Sequence, residues 1–186
     1  ARAVIAAPML GPFDLPIMIA GLGGWLNMVL DQGREMDRML GITEAFFRKW
    51  LAAVLETGVD AVVLPSPFML PGIITRHIAE TTVMPFLERV YGDLGVPLIL
   101  HCTGARFFSF LDLVAKLPNI GGVVVSQTDD LTKSREAIGN QRVLFGGISA
   151  ARLLDYSERT IELLTGSILD RMKDDPSFVF SLTGPD

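Results

Sequence analysis

One of only two histidines and the single cysteine stand side by side at the end of an apolar run, Val96-Pro97-Leu98-Ile99-Leu100-His101-Cys102-Thr103-Gly104. Imidazole and thiol are the side chains best suited to proton transfer near neutrality, nucleophilic attack and metal ligation. A buried strand that ends in a glycine turn delivers such groups to the rim of an α/β sheet, where ligand sites form. Against this stand plainer uses. His101 can hydrogen-bond within a core, and Cys102 can pack as a small hydrophobe. Asp14, in the loop after an earlier apolar run, is a candidate acid or base, or else a solvated carboxylate. Gln127 and Asp130 follow a later run; Asp130 equally suits the cap of a helix starting at Leu131. His77 lies in a segment of helical character and reads as structural. Phe107, Phe108 and Phe110 either line an apolar pocket or form the packing face of the helix that follows.

Positioning these groups requires strands, and six short apolar runs qualify: 4–7, 60–64, 97–101, 121–126, 143–147 and 177–181. They are continuous rather than alternating, as parallel strands covered on both faces should be. Segments with helical spacing lie between them. The clearest is 43–57, with Phe46, Phe47, Trp50, Leu51, Val54 and Leu55 on one stripe, Thr43 as its cap and Gly58 just beyond its end. Further helices are expected at 112–117, 130–138 and 157–172. Strand and helix alternate throughout, which means βα units. Segments 11–24 and 65–76, rich in Pro and Gly, read as long loops after strand ends. No dinucleotide fingerprint occurs, because Gly21-Leu22-Gly23-Gly24 lacks the spacing and a preceding strand. The expected architecture is α/β, a TIM barrel of which the chain holds about the last six βα units, as a single partial domain over residues 1–186.

The 186 residues are 49% hydrophobic and 20% charged, the composition of a globular chain. A net charge of −5 argues against a nucleic-acid partner. One cysteine suits a reducing compartment, and the apolar stretches are too short for a bilayer, so a cytoplasmic protein without membrane contact is expected. No signal peptide is recognisable at the start. Both ends read as interrupted strands, as in a fragment of a longer chain.

Several landmarks in chain order resemble the uroporphyrinogen decarboxylase superfamily. They are the turn Gly11-Pro12-Phe13, the stretch Gly58-Val59-Asp60-Ala61-Val62-Val63-Leu64-Pro65-Ser66-Pro67-Phe68, the strand Gly95-Val96-Pro97-Leu98-Ile99-Leu100-His101, and Asp130-Leu131 through Ile138-Gly139 to Val143 and Gly146. The resemblance implies a TIM barrel and two chemistries, and it leans towards the first, with the second as the alternative. One is methyl transfer from a corrinoid protein, the expected partner, to a thiol or similar acceptor. The other is decarboxylation of a tetrapyrrole or similar polyacid. A third reading is a binding member that has lost its reactive groups.

The methyltransferase branch places a His-x-Cys-Gly motif on this strand and a second Cys on the last one, to hold zinc. Residues two apart on a strand share a face, so Thr103 takes the place of that Cys, and Cys102 points to the helix layer. No Cys occurs near 181–186, and a two-thiolate zinc site is impossible within the chain. A metal would therefore take His101, with Cys102 as the one thiol on offer. The resemblance further implies His101, Gln127 and Asp14 as catalytic groups, and Phe13, Ser66, Thr103, Ser126 and Asp130 as substrate contacts. Methylcorrinoid would be the substrate carried by the partner. A homo-oligomer is carried as an open expectation.

Overall fold

The computed structural model describes residues 3–184. Six strands form one sheet in sequence order, every neighbouring pair parallel. They are β1 (Ala6–Pro8), β2 (Ala61–Pro65), β3 (Leu98–His101), β4 (Ile120–Val124), β5 (Val143–Ser149) and β6 (Phe178–Thr183). The helices are α1 (Pro16–Asp31), α2 (Arg34–Leu55), α3 (Arg76–Ile78), α4 (Met84–Tyr91), α5 (Leu111–Val114), α6 (Leu131–Ile138) and α7 (Glu158–Met172). A π-helical turn, Ala79–Val83, joins α3 to α4. The strands curl into a half-barrel, part of a TIM barrel, with helices on its convex side. No helix among the described residues is long and apolar enough to cross a membrane.

Strand alternation divides the side chains between two environments. Val62, Leu64, Leu98, Leu100 and Val123 are sealed against the helices, and Leu144 is equally buried. Their neighbours Val63, Ile99 and Phe145 turn to the concave side and line a cavity of ≈ 740 Å³.

All six predicted runs become strands, with one displaced: β1 is formed by Ala6–Pro8 rather than 4–7. Two helical expectations are corrected. The segment 11–24 is not one long loop, because α1 begins at Pro16 and breaks only at Gly21, whose φ of 71° suits a residue without Cβ. Proline at a first helical position loses no hydrogen bond, and burial of Trp25 and Val29 holds the rest. Helix α2 starts nine residues before the expected Thr43 cap. Thr43 instead lies inside it, its hydroxyl donating to the Pro12 carbonyl at 2.9 Å and so tying α2 to the loop after β1. The cap expected at Asp130 is present, its side chain accepting from the Thr132 and Lys133 amides, and Ser157 caps α7 by accepting from the Thr160 amide.

Candidate active site

His101 is the last residue of β3 and turns to the concave side, where it is half-buried and lines the cavity. Most of the wall beside it is apolar. Among the described lining residues the charged side chain is Asp60, which precedes β2 at the opposite end of the strands. Burial holds the His101 imidazolium below its ordinary range, with an opposing contribution from its own carbonyl. Its Nδ1 accepts a hydrogen bond from the Thr103 amide at 2.9 Å.

Thr103 does not follow the alternation that would have turned it inward. The strand ends at His101, and Thr103 adopts a left-handed φ of 57° with its hydroxyl donating to the Cys102 carbonyl. The turn is closed from above by the residue after β6. A Cβ at Gly184 would lie 2.7 Å from the Thr103 carbonyl carbon, so this contact admits only glycine. Cys102 is fully buried in the core, and its amide bonds the Val124 carbonyl at 3.2 Å. Among the described residues no three His, Cys, Asp or Glu side chains come together as a metal site. With Cys102 sealed in the core, the residues present do not fit a zinc ion.

Asp14 sits below the rim, buried rather than solvated. Its Oδ1 accepts from the Phe68 amide at 2.8 Å, and the Ser66 side chain also hydrogen-bonds it. Burial drives the carboxyl up from 3.8 to about 7 against those two hydrogen bonds. Tyr91 of α4 lies beside it, its phenol pushed upward by burial and then by the Asp14 charge. Ser66 is likewise buried; its amide donates to the His101 carbonyl at 3.0 Å, so the β2 loop and the end of β3 are held together.

Phe13 packs into the core rather than lining the cavity. Its ring meets Trp25, Phe68 and Phe86 at centroid distances of 5.2, 5.6 and 5.8 Å. Phe13→Ala is expected to cost about 3–5 kcal/mol in urea unfolding, because three rings lose a shared neighbour. A loss under about 1 kcal/mol would show that the cluster can close over the gap.

On the other side of the rim, Gln127 bridges two loops. Its Oε1 accepts from the Ser149 amide at 2.6 Å and its Nε2 donates to the Tyr156 hydroxyl at 3.1 Å. Ser126 is buried at the end of the β4 segment, its hydroxyl paired with that of Thr128 at 2.9 Å. Asp130 is exposed and caps α6 through bonds from the Thr132 and Lys133 amides. His77 is exposed on α3, and of the three phenylalanines after β3 only Phe108 reaches the surface.

Three groups escaped the sequence reading. Asp129 is buried and accepts from the amides of Phe107, Phe108 and Ser126, joining the turn after β3 to the end of β4. Its neighbour Asp130 masked it, since one aspartate of the pair was enough to explain the helix start. Tyr91 carried no motif. Ser181 lines the cavity, and its hydroxyl has no hydrogen-bond partner among the described residues. Only its alternation with Val179 along β6 could have signalled it.

Known proteins match this chain in three ways. A curated uroporphyrinogen decarboxylase from Paraburkholderia phytofirmans is 26% identical over 152 residues, covering 79% of this chain and 40% of that protein. The chain thus spans about two-fifths of the curated relative's length. Among solved structures, a methyltransferase from Methanosarcina mazei superposes with a TM-score of 0.82 at 16% identity, over 99% of this chain and 54% of that one. That likeness shows the half-barrel to be a segment of the same fold. The family model "Uroporphyrinogen decarboxylase (URO-D)" matches residues 1–183, and this chain therefore belongs to the uroporphyrinogen decarboxylase family.

Proposed function

We propose that the chain forms one wall of the small-molecule site of a carboxy-lyase, and that an organic acid loses CO2 in the concave cavity. The observation that carries this reading is His101, a half-buried imidazole at the C-terminal end of β3, where barrel sites form, beside a largely apolar wall. A carboxylate moved from water into such surroundings loses solvation, which disfavours its localised charge relative to departing neutral CO2. The C–C bond breaks, its electron pair stays on the substrate carbon, and a proton from water replaces the carboxyl group. No Lys or Arg stands among the described lining residues, so this wall suits an acid with few carboxylates better than a polyacid that needs cationic partners.

Methyl transfer from a methylcorrinoid is the second reading, favoured by the same apolar wall, which accommodates a methyl group and an uncharged acceptor. A corrinoid-carrying protein would then be the partner. Both readings are tested on the full-length protein that contains this chain. Candidate acids, uroporphyrinogen included, are assayed for CO2 release, and methylcobalamin with a thiol for loss of the cobalt–methyl absorbance. The expected result is CO2 release that falls at least about 10-fold in His101→Phe, the effect of losing one hydrogen bond to a charged group. Demethylation of the cobalamin without CO2 release would replace the first reading by the second.

A further inference from the structure

The hydrogen bond at His101 assigns its tautomer. Thr103 N–H faces Nδ1 at 2.9 Å, so Nδ1 supplies a lone pair there. In a neutral imidazole the proton must then sit on Nε2. A histidine that binds a metal through Nε2 has the reverse arrangement, with Nδ1–H donating to an acceptor. The other acceptor near Nδ1 is the residue's own carbonyl oxygen, which receives the Ser66 amide at 3.0 Å, and a proton on Nδ1 would leave the Thr103 N–H facing it without an acceptor. Nor is the Thr103 amide easily moved, since its left-handed turn is packed under Gly184.

We infer that His101 is a neutral hydrogen-bond donor, offering Nε2–H to a carboxylate or carbonyl oxygen of an otherwise apolar molecule in the cavity. Among the described lining residues Ser181 adds no donor to the open space, because its hydroxyl oxygen is itself closed off and without a hydrogen-bond partner there. This assignment differs from the use of the family histidine as a zinc ligand. It rests on the reading of the cavity as a small-molecule site, but not on the reaction proposed for it.

The test uses the full-length protein with ¹⁵N-labelled histidine at pH 7, and benzoate as the probe. Long-range ¹H–¹⁵N spectra, with the His101 signals identified by their loss in His101→Phe, should show an unprotonated Nδ1 and a protonated Nε2. One equivalent of zinc should leave them in place. Benzoate should bind at least about 10-fold more weakly to His101→Phe. His101→Gln, which keeps a donor, should restore most of the affinity even if the phenylalanine variant fails to fold. An unprotonated Nε2, zinc capture that shifts the His101 signals, or benzoate bound equally by His101→Phe or not at all would each overturn the inference. With tautomer and benzoate affinity as expected, a failed CO2 assay would remove only the proposed reaction.

Discussion

Asparagine in place of Asp14 is expected to make the protein more stable at pH 8, and to remove a fall in stability that the parent shows as pH rises from about 4 to about 7. The carboxyl is fully buried, and desolvation lifts it from 3.8 to about 7 in the folded chain. Between those values the unfolded chain has lost the proton while the folded chain retains it. The folded state therefore binds more protons, and stability declines with rising pH by at most about 1.4 kcal/mol per unit. This contribution is fully present below about pH 4 and gone above about pH 7, a limiting difference of about 4 kcal/mol. Asparagine is neutral throughout and still offers an oxygen to the Phe68 amide, so it avoids burying a charge at pH 8. Urea unfolding of parent and Asp14→Asn at pH 4.5, 6 and 8 measures the effect. Parallel pH profiles for the two proteins would refute it. Because Ser66 bonds both Asp14 and the His101 backbone, the same ionisation should loosen the rim on the acid side of the cavity.

How far the sequence could be read depended on which physical signal each segment carried. The strands were readable because each is a short apolar run closed by turn residues, and burial against helices demands such runs whatever the details of the loops. Helix α1 was hidden because its signal is tertiary: Pro16, Gly21, Gly23 and Gly24 argue for a loop locally, while Trp25 and Val29 are held by the core. The early start of α2 was hidden for a related reason, since a threonine inside a helix looks like a cap until its hydroxyl is seen bonding the Pro12 carbonyl.

At the site, alternation correctly turned His101 to the concave face and Cys102 into the core. It failed one residue later, where the strand had ended and a left-handed turn began. Polar residues read as catalytic groups or substrate contacts bind backbone instead: Gln127 the Ser149 amide, Asp14 the Phe68 amide, and Asp130 the start of α6. Polar residues beside strand ends suggest a site, but a loop rim has its own unpaired amides to satisfy, and these claim nearby side chains first.

Asp129 shows the strongest such claim, and its removal is expected to have the largest effect of any single polar substitution at the rim. One carboxylate there accepts from three amides, those of Phe107 at 3.1 and 3.2 Å, Phe108 at 3.1 Å and Ser126 at 3.2 Å. Phe107 and Ser126 are themselves fully buried, so water cannot readily replace the lost acceptor. At about 1–3 kcal/mol for each unsatisfied buried donor, partly relieved by relaxation, Asp129→Ala should lose about 3–5 kcal/mol. For a chain of this size that corresponds to a drop in Tm of roughly 6–20 °C. Asp129→Asn keeps one accepting oxygen but aims an NH₂ at the donors, and should fall in between. Amide exchange should quicken at Phe107, Phe108 and Ser126 before it does in β2 or β3, which separates local release of the turn from general destabilisation. The turn so freed is the one that presents the Thr103 amide to His101, so the imidazole signals should broaden or shift in the alanine variant while those of His77 stay in place. A loss below about 1 kcal/mol with unchanged His101 signals would mean that water or a neighbouring group serves these amides equally well.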